Sequence, residues 1–245
     1  MITGATGDFG RAFAQRFAAL GCKLIIHGRN PEKVHDLLEG IDGDVYGAVF
    51  DMTDQDAIET GIANIPDHFR DIDVLVNNAG GALGLDKAQD ADLNDWDNMI
   101  DMNVRSLVRV TRLVLPQMVA RKTGHIINIG SIAGNYAYPG GNVYGACKAF
   151  VRQFSLNLRA DLPGTGVRVT NIEPGMVETQ FSLSRFKGDQ DKADAVYANT
   201  DPLKAEDIAE AVLWAATLPK HVNINTMELM PTTQSFGPLA VERFA

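Results

Sequence analysis

The stretch "MITGATGDFGR", residues 1–11, combines a short apolar start, a glycine-rich turn and the beginning of a helical pattern. Gly4, Gly7 and Gly10 recur at intervals of three residues, and "RAFAQRFAAL" follows with helical periodicity. Such a turn presents backbone N–H groups and the positive helix end to a phosphate. No lysine followed by Ser or Thr ends the loop, which excludes the nucleoside triphosphate version of the motif. The stretch predicts a dinucleotide site, with an ordinary tight turn as the alternative.

Strand-like and helix-like segments alternate after this loop. Short apolar runs rich in β-branched residues predict strands at 23–28, 44–51, 73–80, 125–131, 167–175 and 223–231. Helical periodicity predicts helices at 12–20, 31–38, 57–65, 96–119, 144–162 and 208–218. The alternation predicts an α/β fold, a doubly wound parallel sheet with helices on both faces and a ligand crevice at the carboxyl ends of the strands.

The composition limits the class of protein. The chain has 245 residues, 45% of them hydrophobic, which suits a single domain over residues 1–245. With 31 acidic against 22 basic residues, the net charge of -9 predicts neither a nucleic acid nor an anionic membrane as a partner. Cys22 and Cys147 lack metal-ligand spacing, and the five histidines are scattered, so no metal site is assigned. Without an apolar run of about 18 residues, we expect a cytoplasmic protein.

The stretch "GSIAGNYAYPGGNVYGACK", residues 130–148, carries the most specific pattern. Tyr144 and Lys148 are four residues apart and share one face of the predicted helix, while Ser131 ends the preceding strand. Together with "NNAG" upstream and "EPG" downstream, the pattern resembles the short-chain dehydrogenase/reductase family over essentially the whole chain. The resemblance implies a single-domain Rossmann-like fold with a sheet of about seven strands and hydride transfer to or from a nicotinamide.

Four residues are expected to carry the chemistry. A free tyrosine, with a pKa of about 10, is a poor base at neutral pH, so Tyr144 needs a cation such as Lys148 beside it to accept a hydroxyl proton. Lys148 is also expected to bind the nicotinamide ribose, and Ser131 to hold the substrate oxygen. By the same resemblance, Asn103 of "DMNVRS" anchors a water relay for the proton. A Tyr-x-x-x-Lys pair by itself would indicate only a solvated helix face.

The resemblance also implies which residues bind the dinucleotide. Thr3, Gly4 and Gly10 match the family pattern TGxxxGxG. Arg29 of "HGRN" can pair with a 2′-phosphate, which favours NADP over NAD; a surface arginine is the alternative. The expected cofactor-binding residues are Thr3, Gly4, Thr6, Asp8, Phe9, Gly10, Arg29, Asp51, Met52, Asn78, Ala79, Gly80, Tyr144, Lys148, Pro174, Gly175, Val177 and Thr179.

Two features depart from the family pattern. Asp8 stands where the pattern has its middle glycine. A carboxylate 4 Å from a phosphate charge costs about 1 kcal/mol in water and about 4 kcal/mol at an effective dielectric of 20. Because Asp is a good N-cap, we expect Asp8 to start the first helix and turn its side chain away from the nucleotide. Only Met1 and Ile2 precede Thr3, so the first strand is either very short or incompletely represented.

The segment at about 176–203 shows neither a clear strand nor a sustained helical stripe, and we expect it to be a lid. Its Arg185 can bind a carboxylate, which makes Ser131, Tyr144 and Arg185 the expected substrate-binding residues; a solvent-exposed arginine is the alternative. Stretches such as "RVTNIEPGMVET" resemble the branch of NADP-dependent 3-hydroxy acid dehydrogenases. That branch implies oxidation of L-serine, L-allo-threonine or 3-hydroxypropionate to the 3-oxo acid.

Three other interpretations are considered. A nearby branch reduces sulfoacetaldehyde, whose sulfonate also suits Arg185. A non-catalytic NADP-binding regulatory module is disfavoured by the presence of Ser131, Tyr144 and Lys148. A structural subunit is disfavoured by the absence of a large apolar stripe.

The apolar segment "MELMPTTQSFGPL", residues 227–239, is expected to pack between the subunits of a homotetramer, the usual state of relatives.

Overall fold

The computed structural model describes residues 1–237, which form a parallel sheet with helices on both faces. Within this range the strands are β1 (Leu24–Gly28), β2 (Val45–Val49), β3 (Val74–Asn77), β4 (Gly124–Ile129), β5 (Val167–Pro174) and β6 (Thr226–Leu229). They are hydrogen-bonded as β2–β1 and as β3–β4–β5–β6, with every pair parallel. The predicted α/β class with a doubly wound parallel sheet is therefore confirmed. The end of the segment 227–239 lies outside the described residues.

Ile2 joins the two groups of strands. It forms parallel bridges to Ile26 of β1 and to Val76 of β3. Its N–H donates to Ile25 O at 2.8 Å, and the N–H of Thr3 donates to Val76 O at 3.0 Å. The expected seventh strand is thus reduced to one bridging residue in the centre of the sheet. The strand order reverses beside Ile2, so the crevice at a topological switch point opens where the glycine loop begins.

Nine α-helices lie within the described residues and cover the sheet. They are α1 (Asp8–Ala19), α2 (Pro31–Glu39), α3 (Gln55–Ala63), α4 (Leu93–Ile100), α5 (Ser106–Arg121), α6 (Asn142–Asp161), α7 (Phe181–Arg185), α8 (Gln190–Tyr197) and α9 (Ala205–Thr217). One apolar cluster packs α1, α2 and α9 against one face, and a second packs α3, α5 and α6 against the other. The strands β1, β4 and β5 are buried on both sides, as expected of the inner strands of a parallel sheet. None of the helices within residues 1–237 combines the length and apolarity needed to cross a bilayer.

The predicted helix 96–119 is interrupted. It begins earlier, at α4, and a π-helical turn at Asp101–Arg105 separates α4 from α5. Single π-turns inside helices often occur at functional sites because they reorient one side chain. Asn103 lies in this turn.

The segment 176–203 contains two short helices, α7 and α8, where the sequence predicted none. Its two ends are paired with each other. The N–H of Glu178 donates to Leu203 O at 2.9 Å, and the N–H of Leu203 donates to Met176 O at 3.0 Å. The residues between these hydrogen bonds therefore form a closed excursion from the sheet.

A substitution at Gly10 tests how tightly α1 packs on the glycine loop. A Cβ at Gly10 would lie 2.4 Å from both Ala5 Cα and Gly4 O, whereas a Cβ at Gly7 would have its nearest neighbour, Gly4 O, at 3.7 Å. We expect Gly10→Ala to destabilise the fold by on the order of 3 kcal/mol, because the backbone at Gly4 and Ala5 must move to make room for the added Cβ. Thermal unfolding should then show a Tm lower by roughly 6–12 °C.

Gly7→Ala is the matched control. Ala caps a helix less well than Gly, so this substitution should cost less than about 1 kcal/mol. Equal decreases in Tm for the two variants would contradict the close packing of α1 on the loop.

Candidate active site

The glycine loop is locked to the loop that follows β3. The Thr3 hydroxyl accepts hydrogen bonds from Asn78 N and Ala79 N, both at 3.0 Å, and donates to Val76 O at 3.3 Å. The amide of Asn78 donates back to Thr3 O at 2.9 Å and to Gly4 O at 3.0 Å. These contacts bring together Thr3, Gly4, Asn78 and Ala79, four of the residues expected to bind the cofactor. Gly4 has a φ of +63°, a conformation that glycine adopts without strain.

His27 supports the same loop and was missed by the sequence analysis. Its imidazole is 2% exposed, accepts from Gly4 N through Nδ1 at 3.2 Å, and contacts Phe50 O through Nε2 at 2.9 Å. Because Nδ1 is the acceptor, the neutral tautomer carries its proton on Nε2 and donates it to Phe50 O. Burial lowers the pKa of His27, which keeps the imidazole neutral. The sequence itself offered only one sign of this role, a histidine directly before "GRN" in a strand predicted to be apolar.

Asp8 does not cap α1, so the N-cap prediction was wrong. Gly7 is the N-cap residue, and no side chain binds the N–H groups of the first turn. Asp8 is instead the first residue of α1, and its Oδ2 accepts a hydrogen bond from Gln180 N at 2.6 Å. The carboxylate is directed at the segment 176–203, a contact across 172 residues that no local pattern encodes.

The residues around this loop fit a dinucleotide phosphate group. The first N–H groups of α1 lack a side-chain cap, and an anion at a helix N-terminus satisfies such donors. At the end of β1, a Cβ on Gly28 would lie 2.8 Å from Thr6 Cγ2, so Gly28 lets the loop and β1 approach closely. Arg29 is exposed beside them, and Phe9 is partly buried on α1.

Two further residues expected to bind the cofactor, Asp51 and Met52, lie one strand away. Asp51 follows β2, and its Oδ1 accepts from the N–H and the hydroxyl of Thr53, both at 2.8 Å. The hydrogen bond from Thr53 N holds the pKa of Asp51 below its usual range. The nearby positive charge of Arg29 acts in the same direction with a smaller effect. Met52 is buried.

Asn103 is held rigidly at the crevice by the π-turn. Its amide donates to Gly81 O and Met99 O, both at 2.8 Å, and its Oδ1 accepts from Gly81 N at 3.1 Å. A Cβ on Gly80 would lie 2.6 Å from Asn103 Oδ1 and 3.5 Å from Lys148 Nζ. Gly80 therefore allows the backbone to pass between two of the predicted catalytic side chains.

Ser131, Tyr144 and Lys148 converge at the end of β4. Tyr144 is 8% exposed and Lys148 is 7% exposed on α6. Lys148 Nζ donates to Ile129 O at 2.9 Å and lies 5.7 Å from the centre of the Tyr144 ring. The Ser131 hydroxyl accepts from Ala133 N at 3.1 Å, which orients it at the strand end.

The surroundings of Tyr144 have two opposing effects on the pKa of its phenol. Burial raises its pKa well above the usual range, whereas the nearby Ser131 hydroxyl and the Arg185 guanidinium lower it. Lys148 was predicted to lower this pKa, whereas Ser131 and Arg185 are the groups that lower it in the structure. Burial lowers the pKa of Lys148 itself to about 8, so its positive charge is partly lost at mildly alkaline pH.

Arg185 lies over the Tyr144 ring, with its guanidinium carbon 5.6 Å from the ring centre. Its Nε donates to Gly84 O at 3.1 Å, and its Nη2 donates to the hydroxyl of Tyr138 at 2.9 Å. Within the described part of the chain, Nη1 has no hydrogen-bond partner. Tyr138 thus orients the expected anion-binding arginine. Phe181 of α7 packs on Tyr144 at 5.7 Å between ring centres.

The remaining predicted residues follow β5. Pro174 ends β5, and the N–H of Gly175 donates to Leu229 O at 2.7 Å. Val177 is 8% exposed and packs in the core beneath the crevice. The Thr179 hydroxyl accepts from Phe181 N at 3.3 Å, which places Thr179 just before α7.

The fold and the site together define a class, a dinucleotide-binding α/β protein with Ser, Tyr and Lys side chains at the end of its fourth strand. Comparison with known proteins agrees. The family model of the short chain dehydrogenases matches residues 1–190. An NADP-dependent 3-hydroxy acid dehydrogenase of Salmonella typhi is 57% identical over 99% of this chain and 98% of its own. Sulfoacetaldehyde reductase 2 of Chromohalobacter salexigens is 52% identical over 99% and 98% of the two chains.

A solved structure of serine dehydrogenase, in its closed form and complexed with NADP+, superimposes with a TM-score of 0.97. It is 54% identical, and the match covers 100% of both chains. The chain belongs to the short-chain dehydrogenase family. The resemblance inferred from the sequence is confirmed.

His27 provides a test of how the glycine loop is positioned. His27→Phe keeps an aromatic ring against Phe50, whose ring centre lies at 4.1 Å, but removes the acceptor for Gly4 N. One lost hydrogen bond of this kind corresponds to about 1.4 kcal/mol, so we expect the Kd for NADP to rise about tenfold. Isothermal titration calorimetry measures this change. The exposed His35 provides the control, since His35→Phe should leave the Kd unchanged; an unchanged Kd in His27→Phe would exclude the positioning role.

Proposed function

We propose that the protein interconverts a small 3-hydroxy acid and its 3-oxo acid with NADP, transferring a hydride while Tyr144 exchanges a proton. The observation that carries the proposal is the phenol of Tyr144, buried between Ser131 and Arg185 with Lys148 on its own helix. The relative from Salmonella typhi is named for this activity. Arg29 beside Gly28 supports NADP, which the names of the relatives also carry.

In oxidation, the Tyr144 oxygen takes the proton of the substrate hydroxyl as the C–H bond breaks. Bound oxidised nicotinamide would supply the hydride acceptor and a positive charge beside the phenol. Ser131 donates a hydrogen bond to the substrate oxygen while that oxygen changes from hydroxyl to carbonyl. Because the phenol must first lose its proton, oxidation should become faster as pH rises, and reduction should become slower.

Lys148 and Asn103 hold the surroundings of the phenol. Lys148 is fixed to Ile129 O and can bind the nicotinamide ribose, while Asn103 holds the backbone of Gly81. Asn103 is proposed to anchor the water through which the proton leaves. The small apolar cluster of Ala82, Met99 and Tyr144 lies beside them and makes the surroundings of the phenol apolar.

Arg185 is proposed to bind the acidic group of the substrate. It reaches over Tyr144 from α7, and Nη1 is available for an anion while Nε and Nη2 are used by Gly84 and Tyr138. A carboxylate and a sulfonate both fit a guanidinium. Sulfoacetaldehyde reduction therefore remains the second candidate, supported by the relative from Chromohalobacter salexigens.

The segment 176–203 is proposed to act as a lid within a single domain of residues 1–245. A homotetramer is also proposed, because Phe150 on α6 and Trp214 on α9 are 40% and 53% exposed in the single chain, and large aromatic side chains commonly lie in subunit interfaces. The free thiols of Cys22 and Cys147 suit a reducing compartment, and the protein is proposed to act in the cytoplasm.

Tyr144→Phe tests the proton transfer. Removal of a general acid–base should lower kcat by about 10²–10⁴-fold, while the Kd for NADP stays near that of the parent. The reaction is followed by NADPH absorbance with 3-hydroxypropionate and, in reverse, with malonic semialdehyde. Tyr136→Phe serves as the control, because the Tyr136 hydroxyl contacts Glu228 at 3.2 Å and is outside the Ser131–Tyr144 pair. Turnover of Tyr144→Phe at the parent rate would refute the mechanism.

Arg185→Ala tests the acid-binding role. Loss of a charge-assisted hydrogen bond should raise KM for 3-hydroxypropionate by about 10–150-fold, and KM for the uncharged 1,3-propanediol much less. Lys192→Ala removes an exposed lid cation that pairs with Asp189 at 2.9 Å, and should change neither KM. Equal increases for the acid and the diol in Arg185→Ala would show that Arg185 does not bind the acidic group.

A further inference from the structure

We propose that Asp8 is a positioning residue for the lid, because its carboxylate fixes the start of α7, the helix that carries Arg185. The contact joins the first turn of α1 to the start of α7. Asp8 Oδ2 accepts from Gln180 N at 2.6 Å, and Gln180 is the N-cap residue of α7. This proposal rests on the proposed function only for its effect on the substrate acid.

A helix of five residues cannot hold its own position. α7 spans Phe181–Arg185, far shorter than the roughly 12–15 residues at which isolated helices become marginally stable. Its location must therefore come from contacts with the rest of the protein. At its end, Arg185 contacts Gly84 and Tyr138, and Gly84 N donates to Arg185 O at 2.9 Å. At its start, the hydrogen bond from Gln180 N to the Asp8 carboxylate joins α7 to the first turn of α1.

The lid lies across the crevice between these two contacts. Its ends are held together by the hydrogen bonds between Glu178, Leu203 and Met176, so residues 179–202 can move as a unit about this neck. Lys187 adds an ion pair to Asp95 at 2.8 Å on the same side as Arg185. Asp8 fixes the opposite side. Without it, α7 keeps the packing of Phe181 on Tyr144 but loses its hydrogen bond to α1, and the guanidinium of Arg185 is less firmly placed over Tyr144.

The carboxylate of Asp8 has a second, opposing effect. It lies in the first turn of α1, whose N–H groups are proposed to face the cofactor phosphates, and like charges repel. A glycine at this position would remove the repulsion and the lid contact together. An asparagine would remove the charge but keep a side-chain oxygen that accepts the N–H of Gln180. The two variants therefore separate lid positioning from cofactor repulsion.

Amide hydrogen exchange of residues 178–188, with NADP saturating, tests the proposal without turnover. We expect Asp8→Gly to exchange about tenfold faster there than the parent, because the lid opens more often. Asp8→Asn should exchange close to the parent rate. Both variants should bind NADP more tightly than the parent, by about threefold in calorimetry.

Asp54→Gly is the matched control. It removes a carboxylate that accepts from Asp56 N and Ala57 N at 3.0 Å, at the start of α3 on the protein surface. It should leave exchange in 178–188 unchanged. Parent-like exchange in Asp8→Gly would overturn the proposal, and so would faster exchange in Asp8→Asn equal to that in Asp8→Gly.

Kinetics add a second readout. With NADP saturating, Asp8→Gly should raise KM for 3-hydroxypropionate several-fold, because Arg185 is less firmly held, while Asp8→Asn should not. If the protein did not oxidise hydroxy acids, this kinetic readout would fail but the exchange result would still hold. The two failures are therefore distinguishable.

Discussion

The Thr3 hydroxyl is the contact on which the geometry of the crevice depends. It accepts from Asn78 N and Ala79 N and donates to Val76 O, so one side chain fixes the glycine loop to the loop after β3. Gly80 follows immediately, and the backbone there passes between Asn103 and Lys148. The glycine loop and the side chains proposed to transfer the proton are consequently set at a constant separation, although they are about 100 residues or more apart in the sequence.

Burial of Tyr144 creates the second constraint. A phenol in an apolar pocket holds its proton tightly, which suits reduction but opposes oxidation. Ser131, fixed at the end of β4, and Arg185, carried by α7, both act against burial. Because Arg185 belongs to the segment 176–203, the acidity of Tyr144 depends on where that segment lies. The substrate-binding and proton-transfer roles proposed for this site therefore depend on the same guanidinium.

The sequence predicted the features that depend on local patterns. The alternation of strands and helices and the family were confirmed, and the assigned roles of Ser131, Tyr144 and Lys148 stay predictions with a consistent geometry. Features that depend on distant contacts were missed or wrong. The Asp8 carboxylate meets Gln180 rather than its own helix, and His27 and Tyr138 support Gly4 and Arg185 from other parts of the chain. Local periodicity contains no information on such pairs.

The paired neck at Glu178 and Leu203 isolates the excursion between them from the sheet. Chain closure costs change only slowly with loop length, so residues between the neck hydrogen bonds can be inserted, deleted or exchanged while the strand ends stay in place. The same fold can thus acquire a different preference for an acid, amine or alcohol substrate when the segment 176–203 is replaced. Divergence of substrate within this architecture needs no rebuilding of the proton-transfer apparatus.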